Sequence, residues 1–133
     1  MARELTVRLQ GELQMEVMRA LWRRGRASSV DDVRDDLPER QRGAYTTVQT
    51  VLNRLAERGL LVRQRQGKAI FYAPKLSEAE YYSLSVRQTL ATASEDVRRT
   101  ALAQLVGEMP PEEQSEISAL AREVAGRRSD GGS

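Results

Sequence analysis

Six side chains in the stretch GAYTTVQTVLNRLAERG, residues 43–59, carry hydrogen-bonding chemistry of one kind. Spaced at the roughly 100° per residue of a helix, Thr46, Thr50, Asn53 and Arg54 gather with Glu57 on one side, and Thr47 and Gln49 flank them. Ala44, Val48, Val51, Leu52 and Leu55 gather on the other, so this helix has a face for a core and a face for something else. A merely solvated face normally carries Lys and Glu. Short hydroxyls, amides and one Arg are instead the groups whose donors, acceptors and methyls match base edges in a DNA major groove. Thr46, Thr47, Gln49, Thr50 and Arg54 are therefore the candidate base-reading residues. The competing reading is an ordinary amphipathic helix decorated with threonines.

What surrounds this helix favours the first reading. Directly after it, LLVRQRQGKAIFYAP reads as two strands around Gly67, with Arg63, Arg65 and Lys68 at or near the tip. Alternation places Arg63 and Arg65 on one face; Ile70, Phe71 and Tyr72 pack back, and Pro74 is expected to stop the pairing. Directly before the helix, ERQRG supplies Arg40 and Arg42, and Tyr45 opens the helix itself. Arg40, Arg42, Tyr45, Arg63, Arg65 and Lys68 are the candidate contacts to a DNA backbone, which positions a protein without reading sequence. A groove-reading helix followed by a basic hairpin is the plan of a winged helix-turn-helix.

Composition narrows the alternatives. The 133 residues contain neither cysteine nor histidine, which removes disulfides, thiol and imidazole chemistry and the usual zinc ligands. No enzyme, metal or cofactor is expected. The net charge of +2 conceals a division: residues 1–75 hold 15 Lys and Arg against 9 Asp and Glu, whereas 76–133 hold 6 against 10. Between Arg40 and Lys75 eight basic residues face only Glu57, the electrostatic footprint of a phosphate-binding surface. There is no apolar run long enough to span a membrane and no signal-peptide pattern, so a cytoplasmic chain that does not bind membrane directly is expected.

The elements that must hold these residues follow in order. Met1–Gln10 is a short lead-in, and 11–24 form a first helix, apolar round most of its circumference and ended by Gly25. Trp22 on that helix reads as core packing or a subunit contact. Ser28 and Ser29 offer N-caps to a short second helix with Val30, Val33 and Leu37 inward and Pro38 closing it. Its acids Asp31, Asp32, Asp35 and Asp36 read as helix-start charge rather than a metal site. Beyond Lys75 three amphipathic helices are expected. Ser77 and Glu80 form a capping box, Ser94 and Glu95 open the next helix, and Pro111, Glu112 and Glu113 open the last, which Gly126 ends. Their stripes carry few large side chains, so each wants a partner, most economically a second copy of the same segment. Tyr82, Val86, Leu90, Leu102, Leu105, Ile117 and Leu120 are the candidate dimerisation residues. Folding of this arm back onto its own winged helix is the alternative.

AYTTVQTVLNRLAERGLL, then QGKAIFYAP and LSEAEYYSL, together with GELQMEVMRALW in the first helix, resemble the penicillinase repressor group of transcription factors, the BlaI, MecI and CopY relatives, over roughly residues 8–125. The resemblance implies a mainly α fold with a small β-hairpin wing. Residues 1–75 would be a winged-helix DNA-binding domain, 76–126 a helical dimerisation domain and 127–133 a flexible tail. It also implies a homodimeric repressor on a palindromic double-stranded DNA operator, derepressed by a signal that disrupts the arm. In the β-lactam branch a membrane sensor protease pathway cuts that arm. Gln104 and Leu105 stand here where that branch carries Asn and Phe, so the cleavage step is not carried over with the fold. The C-terminal cysteine motif of the copper-responsive branch is absent. A ligand-responsive winged helix of the MarR type, or a protein-interaction winged helix without DNA binding, are the alternatives.

Overall fold

The computed structural model describes Leu9 and residues 11–131; apart from Leu9, the expected lead-in lies outside the described residues. Its elements are α1 (Glu12–Arg24), α2 (Val30–Asp36), a 3-10 turn (Glu39–Gln41), α3 (Tyr45–Glu57), β1 (Leu61–Gln66), β2 (Ala69–Pro74), α4 (Glu78–Leu90), α5 (Glu95–Gly107) and α6 (Pro111–Gly131). The chain divides into two compact units, one reaching to Thr89 and one from Leu90 onward.

In the first unit, three helices and the hairpin enclose one apolar core. Val17, Met18 and Leu21 of α1, Val30 and Val33 of α2, Val48, Leu52 and Leu55 of α3, Leu61 of β1 and Tyr72 of β2 are all buried. The inward stripes expected of the helices are these residues, with two exceptions on α3; on β2 only Tyr72 of the three residues expected to pack back is buried, Phe71 being half-buried and Ile70 exposed. Val51 is only partly covered. Ala44 is exposed because it is the residue preceding the helix, in extended conformation, and not part of its inward stripe. Ser29, rather than Ser28, caps α2: its hydroxyl accepts from the Asp32 backbone N–H while the Asp32 carboxylate accepts from the Ser29 backbone N–H. This reciprocal pair satisfies two N–H groups that an α-helix leaves without internal partners.

Ser28 has a different task. Its backbone N–H donates to the Tyr72 carbonyl at 2.9 Å and its carbonyl accepts from the Tyr72 N–H at 2.8 Å, so it forms an isolated antiparallel bridge on the free edge of β2. Its buried hydroxyl accepts from Arg24 Nε and donates to the Arg26 carbonyl.

α3 closes with Gly59 at φ +83°. The Leu60 N–H donates to the Leu55 carbonyl and the Gly59 N–H to the Ala56 carbonyl. These two bonds terminate the helix and turn the chain directly into β1. β1 and β2 pair antiparallel from Gln66 with Ala69 to Leu61 with Pro74, leaving a two-residue turn of Gly67 and Lys68. Gly67 has φ +64°, and no described non-glycine residue has a positive φ, so Lys68 does not; that sign pattern belongs to a type II′ turn, which matches strand twist. Pro74 does not stop the pairing. The Lys75 N–H still donates to the Leu60 carbonyl. Antiparallel ladders alternate, so Leu61 opposite Pro74 is a non-hydrogen-bonded pair and the ladder never needed the missing N–H.

All of α4 but its last residue falls in this first unit. Tyr81 is buried, its ring 5.6 Å from that of Trp22, its hydroxyl accepting from the Leu9 N–H. Trp22 Nε1 donates to the Leu76 carbonyl, so Trp22 is a packing residue with its one polar atom satisfied.

The second unit holds α5 and α6. Ser94 caps α5 by accepting from the Val97 N–H, and Pro111 stands at the first position of α6, where its missing N–H costs nothing. The expected stop at Gly126 does not occur. Helix α6 runs on to Gly131, so most of the expected tail is helical; a single glycine lowers helix stability by only about 1 kcal/mol, which the remaining turns can offset.

Candidate nucleic-acid interface

The face of α3 away from the core carries Thr46, Thr47, Thr50 and Arg54, all exposed, with Gln49 half-buried beside them. Val48, Leu52 and Leu55 on the opposite side are completely buried, so packing leaves the helix no freedom to rotate its polar side inward. The Thr50 hydroxyl donates to the Thr46 carbonyl at 2.8 Å. Its proton is spent within the helix, and its methyl group and oxygen lone pairs remain for an external partner. The Arg54 side chain is exposed and makes no hydrogen bond or ion pair with the described residues. Tyr45, at the first turn, is 43% exposed.

Asn53, which also falls on this side by spacing, is half-buried and does not face out freely. Its Oδ1 accepts from the Tyr72 hydroxyl at 2.8 Å and from Arg63 Nη1 at 3.1 Å. Arginine has no acceptor, so the atom facing it must be the amide oxygen, and the tyrosine must donate to the same atom. Burial pushes the Tyr72 phenol above its ordinary pKa, with the nearby Arg63 charge opposing that shift. This three-residue contact ties the hairpin to α3. Nothing in the local sequence signals it, since it requires the strand register and the helix to be known together.

Arg65 lies two residues further out than Arg63, opposite Ile70, and Lys68 sits at the tip; all three are exposed. Neither Arg65 nor Lys68 has a partner among the described residues.

The two cations before α3 are placed differently from those of the hairpin. Arg40 pairs with Glu12 at 2.8 Å across the surface, an exposed contact that water and salt screen. Arg42 is turned back on its own unit: Nε donates to the Arg34 carbonyl, and Nη2 to those of Asp35 and Leu37. Those carbonyls lie at the C-terminal end of α2, where among the described residues only that of Arg34 also accepts a backbone N–H, from Leu37, so Arg42 closes that helix and fixes the loop delivering α3. Three of the four acids of α2 are paired with arginines. Arg24 lies 3.1 Å from Asp36 and 3.6 Å from Asp32, and Arg34 lies 3.6 Å from Asp31. The hydrogen bond from the Ser29 backbone, joined by that from its hydroxyl and by the Arg24 charge, holds the Asp32 carboxyl below its usual pKa. Among the described residues no cluster of acids is arranged to hold a metal ion.

Of the candidate dimerisation residues, Tyr82 and Val86 on α4 are exposed and Leu90 is half-buried. Tyr82 meets the ring of Tyr81 edge-on. On α5 and α6, Leu102, Leu105, Ile117 and Leu120 are exposed, as are Val97, Val106 and Val124. The second unit therefore leaves seven large apolar side chains uncovered by its own residues.

The chain that builds this hairpin, this α3 face and this second unit matches the penicillinase repressor family model over residues 10–125. The chain belongs to the penicillinase repressor family. It is 37% identical over 91 residues to the transcriptional regulator BlaI of Mycobacterium tuberculosis, a match covering 68% of this chain and 66% of that protein. It is 27% identical over 70 residues to the penicillinase repressor of Bacillus licheniformis, covering 53% of this chain and 54% of the other. A solution structure of monomeric B. licheniformis BlaI in complex with the blaP half-operator is similar at 25% identity and a TM-score of 0.46, covering 56% of this chain and 90% of that one. The chain thus spans just under two thirds of the mycobacterial relative and about half of the bacillary one. No helix among the described residues is long and apolar enough to cross a membrane.

Proposed function

We propose that this member of the penicillinase repressor family is a cytoplasmic, sequence-specific DNA-binding transcriptional repressor. It acts as a homodimer, with one α3 in the major groove of each half of a palindromic operator, and excludes polymerase by occupying the promoter. The observation that carries the reading is the exposed row Thr46, Thr47, Thr50 and Arg54, seated on a fully buried opposite face and continued by the exposed Arg63, Arg65 and Lys68 of the hairpin. Arg40, Arg63, Arg65 and Lys68 supply phosphate contacts and hence most of the affinity and its salt dependence, with Tyr45 beside them. Arg42 contributes mainly by holding the loop before α3. Thr46, Thr47, Gln49, Thr50 and Arg54 supply sequence preference.

Residues 76–126 act as the dimerisation arm through the uncovered apolar side chains of α4, α5 and α6. Because one half-site holds a monomer weakly, separation of the arms by an inducing signal empties the operator through lost avidity. The sequence holds neither histidine nor cysteine, and the proposed mode of action is binding rather than turnover.

The test is enrichment of genomic DNA fragments by the purified protein, followed by sequencing. Recovery of fragments sharing an inverted repeat is the expected result. Failure to retain any duplex at low salt overturns the reading in favour of a protein-interaction winged helix.

A further inference from the structure

The contact between Asn53, Tyr72 and Arg63 satisfies the hydroxyl of a core tyrosine, and its Arg63 arm, which the core does not need, joins the two elements that the proposed interface uses. Arg63 and Tyr72 occupy directly opposite positions on β1 and β2. Tyr72 spends its backbone N–H and carbonyl on Ser28 at the other edge, so Arg63 and Tyr72 form a non-hydrogen-bonded pair, the type that brings side chains closest. Both side chains reach the same oxygen of α3, at 2.8 and 3.1 Å.

Tyr72 is 1% exposed and immobile, whereas Arg63 is exposed and, without a partner, would sample many rotamers. Arg65 and Lys68, further out on the hairpin, have no comparable tether among the described residues.

We propose that Asn53 is a positioning residue: by accepting from both Tyr72 and Arg63, it locks the base of the hairpin to α3 and holds the Arg63 guanidinium in place for one DNA phosphate beside the groove that α3 enters. This rests on the DNA-binding reading given above. Only one guanidinium N–H is committed to Asn53 in this structure, and the remaining donors of the fork are available to a phosphate oxygen. Pre-setting the side chain lowers the conformational entropy that contact would otherwise cost. The residue therefore acts through Arg63 and touches no base.

The experiment is a double-mutant cycle on affinity for a mixed-sequence 24-base-pair duplex (an arbitrary probe length, about two helical turns), measured by fluorescence anisotropy over a series of KCl concentrations. The proteins are wild type, Asn53→Ala, Arg63→Ala and the double variant. Asn53→Ala leaves the buried Tyr72 hydroxyl without its partner, so Asn53→Ala with Tyr72→Phe is carried as the variant in which that defect is removed but the lock remains broken.

Asn53→Ala and Arg63→Ala are each expected to lower affinity by about three- to tenfold and to lower the salt slope by about one, with the double variant no weaker than Arg63→Ala alone. Asn53→Ala with Tyr72→Phe should recover thermal stability without recovering affinity or slope. Full additivity of the two losses, an unchanged salt slope in Asn53→Ala, or return of affinity with the Tyr72→Phe change overturns the proposal, because each marks a merely structural role. If wild type binds no duplex at low salt, the DNA-binding reading falls instead.

Discussion

Arg54 and Lys68 are both exposed and both unpartnered among the described residues, but the proposed reading gives them different work. Arg54 stands on the α3 face, so Arg54→Ala is expected to weaken specific binding by about 1–3 kcal/mol and to flatten discrimination at one base pair, measured by gel-shift titration against operator variants. Lys68 stands at the hairpin tip, and Lys68→Ala should weaken all sequences alike and reduce the salt slope by about one. Asp32 belongs to stability and not to binding. Folding lowers its pKa, chiefly through the Ser29 backbone hydrogen bond. Its contribution is therefore complete above the ordinary carboxyl value of about 3.9 and is lost as the pH falls through the lower folded value. The side chain is 40% exposed, and solvent screening keeps the effect small: Asp32→Asn should cost about 0.5 kcal/mol at neutral pH by urea unfolding, and the cost should fade as the pH falls through the lowered folded value. The outward threonines and Arg54 were legible from spacing because a helix converts sequence period into direction. The engagement of Asn53 was not, and neither was that of Arg42, whose donors go to the end of α2 instead of facing freely outward.

At the scale of elements, helix boundaries followed local chemistry wherever the deciding group was local. The Ser29 and Asp32 pair opens α2, Ser94 opens α5 and Gly59 closes α3. Gly67 is the hairpin position where substitution tests that chemistry most directly, since its φ of +64° is one that L side chains rarely adopt. Gly67→Ala is expected to destabilise the first unit by about 1–2 kcal/mol, read from the midpoint of denaturant unfolding, even though a Cβ there would meet no atom within 4 Å. An unchanged midpoint would show that the turn relaxes to another type without cost. Expectations from single residues failed where a neighbour in space decided. Pro74 lies at a register position that asks nothing of its nitrogen, and Ser28 pairs with a strand that closes more than forty residues later. At Gly126 no spatial neighbour intervenes, since a Cβ there would meet no atom within 4 Å, and the turns on either side carry α6 through.

At the scale of the whole molecule, affinity for an operator is proposed to depend on two copies. Leu105 and Leu120 are each 56% exposed in the second unit, and placing Asp at both is expected to yield a monomer by light scattering that no longer footprints the operator, with the first unit still folded. A dimer persisting after both changes would refute the arm. By itself, the sequence determined the class of fold, the helix that faces outward and the concentration of basic charge around it, because amphipathic period, turn residues and charge are properties of short stretches of chain. Only the tertiary structure decided that Tyr81 of α4 completes the first core, that Ser28 borders β2, that Arg42 is spent within its own unit, and that Asn53 gathers Tyr72 and Arg63 onto one oxygen. Those pairings join residues far apart in sequence, and their partners are selected by the packing of the core rather than by anything either residue's neighbours specify.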